Sequence, residues 1–367
     1  MGFGQWLSHD NFFELDPVLS RDGGTPERFE GESSDVLIDE AIRFIDRAAD
    51  QDTPFLAVVW FGSPHEPYSG LAEDLAAYDN LPERYGESIV TLTSNETGNP
   101  IRRPLREVLR ERYAEITAMD RAIGRLRRHL DRAGLRDDTL LWYKGDNGTP
   151  PSGVADMPLR GQKGTMYEGG IRVPGLLEWP ARVSAPRVTD VPAVTSDILP
   201  TLAGLAGAAL PERPLDGISL VPLLNGMMST RPEPIFFWSF NIDGLEGRSL
   251  EPYIDPEQQE GTTPLVKLMD GISTRIFQNV RFSAIQARDF AGTRVIMDGD
   301  YKLVVRGEEA SASELFDLRG DPSETRDLTV DEPDVVARMQ RQLREWQQSV
   351  LQSLTGADYD RETVASP

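Results

Sequence analysis

The chain has 367 residues and carries 38 Lys and Arg against 60 Asp and Glu, a formal net charge of −22. That length allows one large domain or two of ordinary size, and such a charge repels phosphate backbones and anionic lipid, which excludes nucleic-acid or membrane-surface binding outside a local basic patch. There is no cysteine, so disulfides, thiolate metal sites and thiol nucleophiles drop out together.

The opening Met1 to Trp6 has neither the basic region nor the apolar stretch of a signal peptide, and the longest apolar run, Phe55 to Phe61, is too short for a membrane helix. Ser33 and Ser34 offer caps ahead of Leu37, Ala41, Ile42, Ile45 and Ala48, and this spacing predicts an amphipathic helix over 33–50. Thr53-Pro54 ends it, and Phe55 to Phe61 reads as a strand buried on both faces. Residues 63–103 read as loop. Leu105, Val108, Leu109, Ile116, Met119, Ile123, Leu126 and Leu130 then predict a long helix closed by Gly134, and Thr139 to Tyr143 a second short strand.

Strand, long helix, strand is the crossover unit of a parallel sheet, which predicts the α/β class. Ligands of such sheets sit beyond the carboxyl ends of the strands, so chemistry is expected after Phe61 and after Tyr143. Further on, 144–174 is rich in Gly and Pro, 175–179 reads as a strand and 195–208 as a helix. Beyond Gly226 the character changes. Residues 234–240 are strand-like, 241–275 polar and irregular, and Arg294 to Val305 is two strands about an Asp298-Gly299 turn. A last helix over 334–354 carries Val336, Met339, Leu343, Trp346 and Val350 on one face. This predicts an α/β domain over 1–230 and a smaller α+β subdomain over 231–367.

Asp146-Asn147-Gly148 is a strong turn signal, and its adjacent carboxylate and amide oxygens are also two hard ligands for Ca²⁺ or Mg²⁺, too few alone to complete a shell. His65 lies between Pro64 and Pro67, which restrain the backbone and suit either a proton donor, an anion ligand or simply a solvated loop histidine. His9 is a weaker candidate, and His129, in a cationic last helical turn, reads as surface. Residues 159–175 gather Gly161, Gly164, Gly169, Gly170 and Gly175 around Arg160, Lys163 and Arg172. Glycine lets backbone approach an anion and lysine supplies a compact charge, although a flexible loop would look the same. The spacing is not that of a P-loop. An oxygen-ligand pair, a histidine and a lysine loop, all expected at one edge of a sheet, suit metal-assisted attack on a phosphate or sulfate ester.

Gly2 to Leu7, Ser63-Pro-His-Glu-Pro67, Gly145-Asp-Asn-Gly148, Arg160 to Pro174, Asp197 to Leu202, Asp216 to Leu220, Gly299 to Leu303, Glu314 to Leu318 and Asp321 to Glu324 occur in an order that resembles the formylglycine-dependent sulfatases, the arylsulfatase-like branch of the alkaline phosphatase superfamily. The resemblance implies a mixed, mostly parallel sheet flanked by helices, with a smaller C-terminal antiparallel sheet and helix. It implies that Asp146 and Asn147 are two ligands of a Ca²⁺ ion, that His65 and Lys163 contact sulfate, and that His65 protonates the leaving oxygen. The substrate would be a sulfated small molecule or glycan, and relatives are often exported.

The resemblance also implies a formylglycine made from Cys or Ser in Cys/Ser-x-Pro-Ser/Ala-Arg. The nearest string, Ser184-Ala-Pro-Arg187, has its arginine one position early. The family's N-terminal aspartate pair and its Gly-Lys-Trp-His segment have no counterpart either. Relatives carry these ahead of the stretch matching Gly2 to Leu7, so the sequence reads as a sulfatase that begins after its active-site half. Such a chain is expected to be inactive alone and poorly stable, with an exposed sheet edge. Two other readings stay open: a non-catalytic remnant that binds sulfated glycans, and a phosphate or phosphonate ester hydrolase, over which Lys163 in its glycine loop favours sulfate.

Overall fold

The computed structural model describes residues 3–8, 15–66, 68–93, 99–150, 158–240, 284–307 and 312–358. These fall into two compact units, one formed by the described residues up to Thr139 and the other by those from Leu140 onward. His9, Pro67 and the segment 241–275 lie outside the described residues.

In the first unit, short strands β1 (Leu7–Ser8), β2 (Val18–Arg21) and β3 (Glu27–Arg28) form an antiparallel ribbon. Helix α1 (Ser33–Asp50) has the expected span, but its cap is Glu32, whose side chain accepts from the N–H groups of Ser34 at 2.7 Å and Asp35 at 3.1 Å. The stretch read as loop contains α2 (Ala72–Ala76) and an antiparallel hairpin, β4 (Ile89–Thr93) with β5 (Pro100–Pro104). Val90 and Leu92 alternate inward, onto Val108 and Leu109 of helix α3 (Leu105–Arg132) and onto Tyr68. Helix α3 packs on α1, and Arg121 ties it to Asp35 at 2.8 Å and to Asp74 of α2.

The run 55–61 forms no strand among the described residues, and the expected parallel crossover is absent there. Apolar β-branched and aromatic residues are competent for a strand, but a strand exists only beside a neighbour, and the described residues supply none. Leu56, Val58 and Trp60 are left 55%, 48% and 77% exposed.

In the second unit, β6 (Leu141–Lys144) pairs antiparallel with β7 (Gly175–Glu178), and the four-residue turn α4 (Glu168–Ile171) lies between them in sequence. Helices α5 (Ile198–Ala206) and α6 (Val221–Leu224) precede a four-stranded antiparallel sheet. Its strands are β8 (Ile235–Trp238), β9 (Arg294–Asp298), β10 (Tyr301–Arg306) and β11 (Ala312–Asp317), in the order β11-β10-β9-β8. Pairing of Asp298 with Tyr301 puts Gly299 and Asp300 in the hairpin loop, with Gly299 at φ 63°, a conformation glycine adopts without strain.

This sheet is covered on both faces. On one, Ile296, Leu303, Val305 and Leu315 bury against Met339 and Leu343 of helix α7 (Pro333–Leu354). On the other, Val295, Val304 and Phe316 bury against Met166 and Tyr167 of the glycine-rich loop. Among the described residues every strand pair is antiparallel, and no helix is long and apolar enough to cross a membrane.

Candidate functional site

The period-2 alternation of β10 decides what holds the glycine-rich loop. Leu303 and Val305 face helix α7, so Lys302 shares a face with Val304 beneath the loop, and it is fully buried. Its ammonium lies 3.0 Å from Oε1 of Glu168 and 2.8 Å from Oε1 of Glu324, while the other oxygen of Glu324 accepts the backbone N–H of Glu168 at 2.7 Å. Both carboxylates are buried. Burial pushes the Glu324 carboxyl up, and the Lys302 ammonium pulls against that shift.

Glu168 opens a backbone corner on which two loops hang. Gly148 and Thr149 donate their N–H groups to the carbonyls of Gly170 at 2.9 Å and Gly169 at 3.0 Å, which fixes the loop of Asp146 and Asn147. Gly169 donates to Arg160 O and Lys163 donates to Thr149 O, each at 2.7 Å, which fixes the loop of Lys163. The packing leaves no room for side chains: a Cβ on Gly169 would lie 2.3 Å from Gly161 O, and one on Gly170 2.2 Å from Thr165 O. Arg160 adds a second clamp. It reaches Glu314 of β11 at 3.0 Å and lies over the Tyr167 ring, and the Tyr167 hydroxyl also donates to Glu314. The segment that a flexible loop would have explained equally well is thus pinned at both ends.

Asp146 is exposed and its Oδ1 accepts the N–H of Asn147 at 2.8 Å, while the Asn147 amide donates to Gly148 O at 3.2 Å, so Oδ1 is the ligand atom Asn147 has to offer. Among the described residues no group of three or more His, Asp, Glu or Cys could hold a metal. Calcium takes about 6–8 oxygens, so two ligands do not by themselves make its site.

His65 is carried by the first unit. Its backbone N–H closes a turn onto Gly62 O at 3.0 Å after the cis Ser63-Pro64 bond. Its Nδ1 is 2.6 Å from Glu66 O, and because a carbonyl only accepts, the proton sits on Nδ1. Two buried carboxyls brace this turn. Glu32 lies 3.5 Å from the Ser63 hydroxyl, and Glu115, in the apolar stripe of α3, accepts the Ser69 N–H at 2.7 Å. Burial pushes the Glu115 carboxyl up to about 9. His129 pairs with Asp46 at 2.7 Å, as a surface residue would.

Sequence reasoning named Lys163, Asp146, Asn147 and His65 but missed the residues beneath them. The signal for Lys302 was available: a charged side chain in step with Val304 in an otherwise apolar strand. Glu115, among the buried stripe residues of α3, gave the same kind of signal.

The fold of the chain resembles those of solved structures. A complex with the substrate D-glucosamine-2-N,6-O-disulfate superposes with a TM-score of 0.66 at 16% identity, covering 99% of this chain and 78% of the other. Ps i-CgsB bound to k-i-k-neocarrahexaose gives 0.64 at 21% identity, covering 95% and 65%. The family profile described as Sulfatase matches residues 1–208, and the chain belongs to the sulfatase family. Arylsulfatase A of Bos taurus is 40% identical over 136 residues, 36% of this chain and 27% of that protein. An ulvan-active sulfatase of Formosa agariphila is 30% identical over 214 residues, 58% and 40%. A further sulfatase of that organism is 26% identical over 356 residues, 90% and 53%. The chain therefore spans about a quarter to a half of the length of these relatives.

Proposed function

We infer that the protein is a sulfuric-ester hydrolase, acting on sulfate esters of sugars or aryl compounds, and that this chain contributes the sulfate-recognising part of the site. The observation that carries this reading is the shared glycine corner, which holds the Asp146–Asn147 loop and the Lys163 loop together in a chain of the sulfatase family. The name of one relative, an ulvan-active sulfatase, and the disulfated glucosamine bound by a structural neighbour support a sulfated saccharide as the substrate class.

In this reading the Lys163 ammonium neutralises charge on the sulfate, and Nε2 of His65 gives a proton to the leaving oxygen. Asp146 and Asn147 are two ligands of a divalent cation, Ca²⁺ by resemblance, and the family's other ligands, an N-terminal aspartate pair, have no counterpart in this sequence. No Cys/Ser-x-Pro-Ser/Ala-Arg string for formylglycine formation occurs in the sequence, so turnover by the chain alone is not expected.

The test is a comparison of binding with turnover. The chain should bind glucosamine 6-sulfate, lose about tenfold or more in affinity as Lys163→Ala, and leave 4-nitrophenyl sulfate uncleaved. Tighter binding of phenylphosphonate than of the sulfate ester would favour the phosphonate reading instead. Cleavage of the sulfate ester would show that the chain carries a nucleophile of its own.

A further inference from the structure

Lys302 touches no solvent, so whatever it does passes through the groups it holds. It faces two carboxylates with one ammonium, and apolar side chains in place of all three groups would fill the same space at least as well for stability alone. What an apolar residue could not do is fix Glu168 by its side chain while Glu324 fixes the same residue by its N–H. Glu168 is followed directly by Gly169 and Gly170, the two carbonyls that receive Thr149 and Gly148. The buried charge therefore sets the height and orientation of the corner from which both candidate loops are suspended.

We propose that Lys302 is a positioning residue whose buried ammonium, through Glu168, fixes the loops bearing Asp146, Asn147 and Lys163 relative to one another. The inference rests on the sulfate-ester reading for what those loops bind, and on the hydrogen bonds alone for how they are held.

Two variants of the full chain test it. Lys302→Met removes the ammonium but strands two buried carboxylates and can fail to fold. Glu168→Gln leaves Lys302 paired with Glu324, one ammonium to one carboxylate, and loosens the tie to the corner together with the longer Glu168–Arg172 contact at 3.8 Å. Amide hydrogen exchange is read on peptides covering 158–172 and on peptides covering the sheet at 294–306 and 312–317. The expected result for Glu168→Gln is exchange about tenfold faster in 158–172 with the sheet unchanged. Exchange unchanged in 158–172, or faster in both regions together, would overturn the proposal by reducing the triad to a part of the core.

Calorimetry with sodium sulfate supplies the second readout. Glu168→Gln should weaken sulfate about tenfold, and the loss should vanish in a Lys163→Ala background, as coupling through one loop requires. If the wild-type chain binds no sulfate while the exchange of 158–172 still responds, the positioning role stands and the sulfate reading falls. If sulfate binds equally to both chains and the exchange is unchanged, the sulfate reading stands and the positioning role falls.

Discussion

Gly169 and Glu115 show how single atoms decide what this molecule tolerates. A methyl group on Gly169 meets the carbonyls of Gly161 at 2.3 Å and Arg160 at 2.7 Å, both backbone atoms that can yield only by moving the loop. Gly169→Ala is expected to cost about 1–3 kcal/mol, the range for overpacking. Gly175→Ala, where a Cβ meets nothing within 4 Å, should stay within about 0.5 kcal/mol. Paired thermal melts separate the two. Glu115 makes a prediction about pH. Its carboxyl stands at about 9 in the folded chain against 4.5 when unperturbed, so between those values the folded state keeps a proton that the unfolded state has lost. Its contribution to stability is complete at low pH and is lost as pH rises through about 9, with a limiting slope of about 1.4 kcal/mol per pH unit. Glu115→Gln still accepts the Ser69 N–H but carries no proton to lose. Urea midpoints at acid, neutral and alkaline pH should therefore fall less steeply for the variant, and parallel curves would show that Glu115 is ionised in the fold.

The elements divide by whether their cause is local. Helices α1, α3 and α7 were legible because each keeps an apolar stripe over three or more turns, and the β9–β10 hairpin because glycine marks its turn. The cap of α1 was not, since the sequence offered two serines and the fold uses Glu32, a choice made by burial beside Ser63. Glu32→Ala should cost about 1 kcal/mol, as loss of a helix cap does, and a denaturant titration that leaves the midpoint unmoved would deny Glu32 that role. The β4–β5 hairpin was missed because only Val90 and Leu92 turn inward, too short a pattern to stand out in a polar stretch. The strings that carried the family resemblance prove to have different work. Asp197 is fully buried, receives both guanidinium nitrogens of Arg231 at 2.7 and 2.8 Å, and accepts the N–H of Ile218, so the strings at 197–202 and 216–220 brace each other. Those at 160–174, 299–303 and 321–324 instead meet at Lys302, which no local pattern could have paired with Glu168 across 134 positions.

At the scale of the whole molecule, the same sequence that fixes the candidate loops leaves other groups, among the described residues, without the neighbours their chemistry asks for. Asp146 and Asn147 offer two oxygens where calcium takes about 6–8, so calorimetric titration should show no saturable calcium binding at micromolar concentration. Micromolar affinity would mean that further ligands converge there from residues outside those described. The run 55–61 poses the larger problem. Leu56, Val58 and Trp60 alternate and are 55%, 48% and 77% exposed, so one side of an extended segment presents a continuous apolar edge. Among the described residues, no backbone hydrogen bond to another segment satisfies Phe55 to Phe61. A net charge of −22 opposes association at long range, yet salt screens it beyond about 8–10 Å while an unpaired apolar edge acts at contact. Self-association should therefore grow with both protein concentration and ionic strength, the reverse of what a charge-driven contact would do. Sedimentation velocity at low and high salt reads this directly. Trp60→Lys with Val58→Lys should return the chain to a monomer at both, and a wild-type monomer with a sharp cooperative melt would show that the edge is covered within the chain itself.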